Sequence, residues 1–226
     1  MDKPRITIIG LGLVGASMGL ALRKNRPQVE VVGHDANNST TREAQKLGAV
    51  EKSEWNLISA CEKADVIVLA VPALAIKETF KIVAPYLKAG AVLTDTAGSK
   101  SEVLRWAREM LPDTVSFVGG NPLVGGGLGD GVRSARADLF QGVTYCLSPL
   151  PNTPQDAVEL ISGLVTLLGA KPFFVDPDEH DGLIGGADHL TFIASTALLR
   201  LVEGADGQPA RELRRMVGAN LKRATD

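Results

Sequence analysis

The sequence has few of the residues on which thiol chemistry, metal centres and imidazole chemistry depend. Its only two cysteines, Cys61 and Cys146, lie far apart and form no C-x-x-C pair. This pattern predicts free thiols in a reducing compartment and no metal site. The three histidines, His34, His180 and His189, limit imidazole chemistry to a short list.

The sequence also lacks an excess of positive charge and a long hydrophobic run. A formal net charge of −2 argues against nonspecific nucleic-acid binding, which needs a basic face. The charged start and apolar run of MDKPRITIIGLGLVGASMGLAL resemble a signal peptide, but its glycines favour a folded strand–turn–helix unit. No other stretch approaches the ~20 apolar residues of a membrane span. We therefore expect a cytoplasmic protein that binds neither nucleic acid nor membrane.

Short β-branched runs alternate with amphipathic segments of helical length. Strands such as DVIVLA are apolar throughout, as expected when both faces of a sheet are covered. This alternation predicts an α/β fold, a Rossmann-type, doubly wound, mostly parallel sheet. The predicted strands are Arg5–Ile9, Val29–Gly33, Asp65–Ala70, Ala91–Thr94, Val115–Val118, Val143–Leu147 and Pro172–Val175. The predicted helices are Val14–Arg23, Thr41–Leu47, Trp55–Glu62, Ala75–Leu87, Glu102–Met110 and Gln155–Leu168.

The alternation stops after Val175. The polar, turn-rich DPDEHDG follows, and beyond it the sequence is helical in pattern with no strand candidate. We therefore expect a Rossmann domain over residues 1–175 and a short C-terminal helical segment over residues 176–226.

The first strand-to-helix turn carries the G-x-G-x-x-G order of a dinucleotide site, Gly10-Leu11-Gly12-Leu13-Val14-Gly15. Gly10 suits the tight turn, Gly12 lets the backbone approach a pyrophosphate, and Gly15 allows close packing of helix on strand. The N–H groups of the helix N-terminus favour phosphate. Asp35 ends the second strand twenty residues after Gly15. Its carboxylate suits ribose hydroxyls and repels a 2′-phosphate, so we expect NAD rather than NADP. The alternative to a dinucleotide site is a structural glycine turn beside a surface aspartate.

Three further strand ends are candidates for the same edge of the sheet. VIVLAVP ends at Val71 and Pro72, which either face the cofactor or form a rigid turn. LTDTAGSK places Ser99 and Lys100 near the expected nicotinamide, where Lys100 either holds an anionic substrate or is solvated. In FVGGNPLVGGG, Asn121 begins a loop with seven glycines in the thirteen residues from 119 to 131. An amide there can orient a ligand but cannot act as a base near neutral pH.

Together these segments resemble the prephenate/arogenate dehydrogenase family of tyrosine biosynthesis. The resemblance spans nearly the whole chain and is carried by the glycine motif with Asp35, and by ADVIVLAVP, TDTAGSK, FVGGNPLVGGG…ARADLFQG and DEHDGLIGGADHL. It implies an NAD enzyme that oxidises the ring alcohol of prephenate or arogenate with loss of carbon dioxide. It also implies C-terminal helices that pair two subunits into a homodimer.

The departures from the family fall on its chemical positions. Asn121 stands where the family has the H-P-M histidine that accepts the hydroxyl proton, and Gly98 aligns with the family serine, with Ser99 displaced by one residue. Phe192 replaces the second histidine of S-H-L-P-H, whereas His189 is retained. A general base contributes ~10²–10⁴-fold to such a reaction. His189 is therefore the candidate base, and the alternative is a helix-packing histidine.

His180 and Asp181 are expected to begin the long C-terminal helix, and for His180 a local capping role is favoured over a chemical one. Three functions stay open: a dehydrogenase of this family, acting on its substrate or an altered one; a relative that binds the dinucleotide without catalysis; and another hydroxyacid or imine reductase. The last does not account for the order EHD…DHL.

Overall fold

The structure is a computed structural model of the 226-residue chain. It describes residues 3–124, 131–190, 193–194 and 196–197, with the side chains of Asp188 and His189 excepted. The statements below refer to these residues.

The described residues form one eight-stranded sheet in the order β3-β2-β1-β4-β5-β6-β7-β8. Neighbouring strands are parallel, except that β7 runs antiparallel to β6. The first six strands have the order of a dinucleotide-binding sheet. The predicted α/β fold is therefore confirmed. The strands are β1 Arg5–Ile9, β2 Glu30–His34, β3 Lys52–Ser53, β4 Val66–Leu69, β5 Val92–Asp95, β6 Ser116–Pro122, β7 Thr144–Pro149 and β8 Lys171–Phe174.

Helices connect the strands, and each predicted helix has a counterpart. Short 3₁₀ helices lie at Ala84–Tyr86 and Gly131–Ser134, and a π-helical turn lies at Gly185–His189. No helix of the described residues is long and apolar enough to cross a bilayer. The α-helices are α1 Leu13–Asn25, α2 Asn38–Leu47, α3 Leu57–Cys61, α4 Ala73–Val83, α5 Ser101–Met110, α6 Gln155–Leu167 and α7 Pro177–Ile184.

The apolar core forms one cluster on each face of the sheet. In β4, Val66 and Val68 belong to one cluster and Ile67 and Leu69 to the other. Successive side chains of a strand point to opposite faces, so a strand covered on both sides must be apolar at every position. This explains the unbroken apolar run that the sequence shows here.

The structure differs from the sequence prediction at two strands. The two-residue β3 has no counterpart among the predicted strands. Strand β6 continues through Asn121 and Pro122, so Asn121 lies in a strand opposite Cys146 and not in the first turn of the glycine-rich loop. The pairing with the antiparallel β7 extends the strand over residues of low β-propensity.

The chain separates into two compact units, Met1–His180 and Asp181–Asp226. Most of the second unit lies outside the described residues. The predicted division after residue 175 stays a prediction.

Candidate functional site

The candidate site lies along the carboxyl edge of the sheet. Strands β1, β2, β4, β5 and β6 are mutually parallel, so the residues that follow them meet at one edge. Three inter-strand spacings of about 4.8 Å, or about 14 Å, separate β1 from β6. The glycine turn after β1 and Asn121 at the end of β6 are therefore far enough apart for an extended ligand to contact both.

Two glycines of the motif are required by packing. Gly10 has φ +89°, and a Cβ there would lie 2.3 Å from the carbonyl oxygen of Ala70. A Cβ on Gly15 would lie 1.9 Å from the carbonyl oxygen of Gly10. Neither position admits a larger residue, because α1 and the turn after β4 press against this turn. Val71 is part of that packing, whereas Pro72 is exposed and precedes α4.

Gly12 is different, because no described atom lies within 4 Å of the position a Cβ would take. Gly12 is the N-cap of α1, and the first bond to its carbonyl oxygen comes from Ala16 N–H at 3.0 Å. The N–H groups at the start of a helix have no partner within it and carry a partial positive charge. The backbone of Leu13 and Val14 thus offers donors beside an open space, as a diphosphate requires.

Asp35 closes this turn from the second strand. Its carboxylate accepts hydrogen bonds from Leu11 N–H and Asn37 N–H, both at 2.8 Å. A carboxylate has about four acceptor positions, so two bonds leave capacity for hydroxyl donors. Asp35 therefore fixes the shape of the glycine turn and faces the same opening.

Next to Asp35 and Gly12 lies a concavity formed with α2 and the 3₁₀ helix Gly131–Ser134. Arg133 lies 3.0 Å from the carboxylate of Glu43 and holds the pKa of Glu43 below its usual value. The position of Arg133 beside Asp35 brings together two residues that lie far apart in the sequence, so no local pattern indicates it.

Lys100 forms a buried ion pair with Asp95 in which both side chains are fully inaccessible to solvent. The ammonium also donates to the carbonyl oxygen of Gly120 at 2.6 Å, and Asp95 accepts from the N–H groups of Gly120 and Ala97, each at 2.9 Å. The pair thus binds both polar main-chain groups of Gly120, the residue before Asn121. The solvated alternative for Lys100 was wrong, and a direct role in catalysis stays a prediction.

Asn121 contacts the imidazole of His180. Its Nδ2 lies 3.1 Å from His180 Nε2, and the two residues are 7% and 1% exposed. His180 lies within α7, whose start is capped by the Asp176 carboxylate, which accepts from Asp178 N–H at 2.9 Å. The local role expected for His180 at the helix start was therefore wrong, because Asp176 has it. Asn121 and His180 are 59 residues apart, so no local sequence pattern indicates this contact.

The remaining candidates are less fully described. Ser99 is half-buried in the loop between β5 and α5, and Gly98 beside it is exposed, with no described atom within 4 Å of a Cβ position. His189 ends the π-helical turn, and its side chain lies outside the described residues. The roles of Ser99, Asn121 and His189 stay predictions.

Comparison with known proteins identifies related nucleotide-binding domains. The model of the prephenate dehydrogenase nucleotide-binding domain matches residues 18–173. The prephenate dehydrogenase of Lactococcus lactis is 35% identical over 197 residues, covering 86% of this chain and 53% of that protein.

Two solved structures have the same fold. The arogenate dehydrogenase of Synechocystis has a TM-score of 0.83 at 26% identity, over 98% of this chain and 77% of that one. The prephenate dehydrogenase of A. aeolicus, in complex with hydroxyphenyl propionate and NAD+, has a TM-score of 0.89 at 22% identity, over 100% and 78%. The chain spans about half the length of the curated relatives it matches first.

Proposed function

Because this chain belongs to the prephenate dehydrogenase family, we propose that it is an NAD-dependent dehydrogenase that oxidises prephenate or arogenate with loss of carbon dioxide. The observation that carries the proposal is the open, donor-lined space over Gly12, with Asp35 at one end of the edge and Asn121 at the other. A dinucleotide laid across that edge brings its nicotinamide to the end of β6.

The cofactor is NAD. The N–H groups of Leu13 and Val14 at the start of α1 hold the diphosphate, and Gly12 leaves room for it. Asp35 receives the ribose hydroxyls of the adenosine, and its charge disfavours a 2′-phosphate. Val71 and Pro72, which follow the neighbouring strand β4, line the same side of the cofactor. Bound NAD+ supplies the hydride acceptor.

The substrate is a carboxylate of the prephenate type. Two relatives support this substrate class: a prephenate dehydrogenase of Lactococcus lactis and an arogenate dehydrogenase of Synechocystis. Polar groups at the ends of β5 and β6, Ser99 and Asn121 among them, lie where the nicotinamide end of the cofactor reaches. A second copy of the chain, paired through the C-terminal segment, belongs to the same proposal.

A cytoplasmic location is also part of the proposal. Cys61 and Cys146 are both free thiols, which suits a reducing compartment.

A second candidate is a relative that binds the dinucleotide without catalysis. The amide of Asn121 favours it, since Asn121 stands at the end of β6 and cannot remove a proton. A third candidate is a dehydrogenase of this family that acts on an altered substrate.

The test is NADH formation by the purified protein with NAD+ and either prephenate or arogenate. The proposal expects NADH with at least one substrate, and expects Asn121→His to keep or raise the rate. NADH from the variant alone would indicate the non-catalytic relative. If NAD+ binds and neither protein forms NADH with either substrate, the proposed activity is wrong.

A further inference from the structure

We propose that His180 is the general base of this site and that Asn121 is its hydrogen-bonding partner on the substrate oxygen. Nε2 of His180 takes the hydroxyl proton, and the amide N–H of Asn121 donates to the oxygen that becomes a carbonyl. The inference deepens the proposed function and rests on it.

The first support is the direction of the hydrogen bond. The amide nitrogen of Asn121 has no lone pair to offer and donates, so His180 Nε2 is the acceptor at 3.1 Å. In the neutral imidazole this requires the proton on Nδ1 and the lone pair on Nε2. The lone pair that a base needs is therefore directed at the residue at the end of β6. In the proposed complex the substrate hydroxyl takes the place of the amide at Nε2.

The second support is the state of the other described titratable groups next to Asn121. Asp95 and Lys100 are bound to each other and to the backbone of Gly120. Tyr145 is buried, and burial raises the pKa of its phenol. Cys146, opposite Asn121 in β7, has a thiol whose pKa burial also raises. Tyr145 and Cys146 are therefore unsuited to accept a proton near neutral pH, and Asp95 and Lys100 are engaged with each other.

The third support is the fixed position of both partners. The Asp95–Lys100 pair holds Gly120 by its N–H and C=O, which fixes the backbone next to Asn121. Asp176 caps α7 four residues before His180, and His180 N–H donates to the Asp176 carbonyl oxygen at 2.8 Å. Positioned groups of this kind contribute to catalysis because they need no reorganisation during the reaction.

The O–H proton of the substrate moves to His180 Nε2 while the C–H hydride leaves to bound NAD+. The electron pair of the C–carboxylate bond then enters the ring as carbon dioxide departs. The ring oxygen takes the proton back from His180 as the aromatic phenol forms, so His180 returns to its neutral form.

The first test does not require activity. Nitrogen-15 NMR of the imidazole rings reports which nitrogen carries the proton, and a chain with three histidines is simple to assign by His180→Gln. We expect His180 in the Nδ1–H form, and we expect Asn121→Ala to change the Nε2 shift of His180 but not of His34. An Nε2–H form, or no change in Asn121→Ala, would overturn the inference.

The second test is kinetic, on the full chain. We expect His180→Gln to lower kcat by ~10²–10⁴-fold with the Kd for NAD+ changed less than about twofold, because His180 lies at the far end of the edge from Gly12. Glu179→Gln is the matched control: it is the neighbouring residue of α7, exposed, and should leave kcat unchanged.

The outcomes separate the two proposals. A His180→Gln protein that keeps kcat within about threefold of the unmodified protein overturns the inference and leaves the proposed function standing. An unmodified protein that forms no NADH with either substrate overturns the function and the inference with it. If His180→Gln does not fold, the imidazole resonances are assigned instead with His34→Gln and His189→Gln, and the NMR measurement on the unmodified protein decides.

Discussion

Replacing Lys100 by methionine should destabilise the fold far more than a lysine replacement usually does. The substitution keeps the length of the side chain but leaves the Asp95 carboxylate buried. Among the described residues, its remaining donors are then the N–H groups of Gly120 and Ala97. Breaking a fully buried ion pair in this way costs about 3–5 kcal/mol of unfolding free energy. For a chain of this size each kcal/mol lowers Tm by roughly 2–4 °C, so we expect a decrease of roughly 6–20 °C.

The chain offers a matched control in the exposed pair of Lys88 and Asp65, whose side chains are 50% and 39% exposed. Exposed ion pairs contribute about 0–1 kcal/mol, so Lys88→Met should change little. The double variant Asp95→Asn/Lys100→Met should be more stable than Lys100→Met alone, because it leaves no uncompensated buried charge. Urea and thermal unfolding measure all three. If Lys100→Met costs no more than Lys88→Met, Lys100 is not buried as described.

Three further predictions concern the cofactor side and the core. Gly15→Ala should prevent stable folding, because the new Cβ would lie 1.9 Å from the carbonyl oxygen of Gly10. A normal yield of protein with a native circular dichroism spectrum would contradict this. Asp35→Asn should weaken NAD+ binding about tenfold through loss of charge-assisted bonds, and it should reduce the preference for NAD+ over NADP+. Calorimetry with both dinucleotides measures these affinities. If the unmodified protein binds NAD+ and NADP+ with equal affinity, the role of Asp35 is refuted. Cys61 is fully buried, and burial raises its pKa to about 12. It should react with thiol reagents at pH 8 only on unfolding, and rapid labelling of the native protein would contradict its burial.

The sequence was sufficient to predict the sheet and the cofactor turn because both depend on local patterns. Strand β1 was predicted with its exact bounds, since Arg5–Ile9 is an apolar run directly followed by a glycine turn. The motif Gly10 to Gly15 combines strand, turn and helix within a few residues, and each glycine has a steric reason that the structure bears out at Gly10 and Gly15.

The end of the site at β6 could not be predicted because its contacts are long-range. Lys100 stands in a short polar stretch that indicates solvent exposure. Its burial is explained by its ion pair with Asp95 and its hydrogen bond to the carbonyl oxygen of Gly120. Asn121 belongs to β6 because β7 pairs with it from 25 residues further along the chain. The contact with His180 then follows from the position of α7 after β8, which no spacing in the sequence specifies.

Titration calorimetry of NAD+ into the unmodified protein and into Gly12→Ala addresses the cofactor site itself. The space beside Gly12 is open, so a methyl group there leaves the fold intact but occupies the place of the diphosphate. We expect the unmodified protein to bind NAD+ and Gly12→Ala to lose that binding while its Tm stays within a few degrees. An unmodified protein that releases no heat with NAD+, or a Gly12→Ala protein that binds it equally well, would contradict a dinucleotide site at the start of α1.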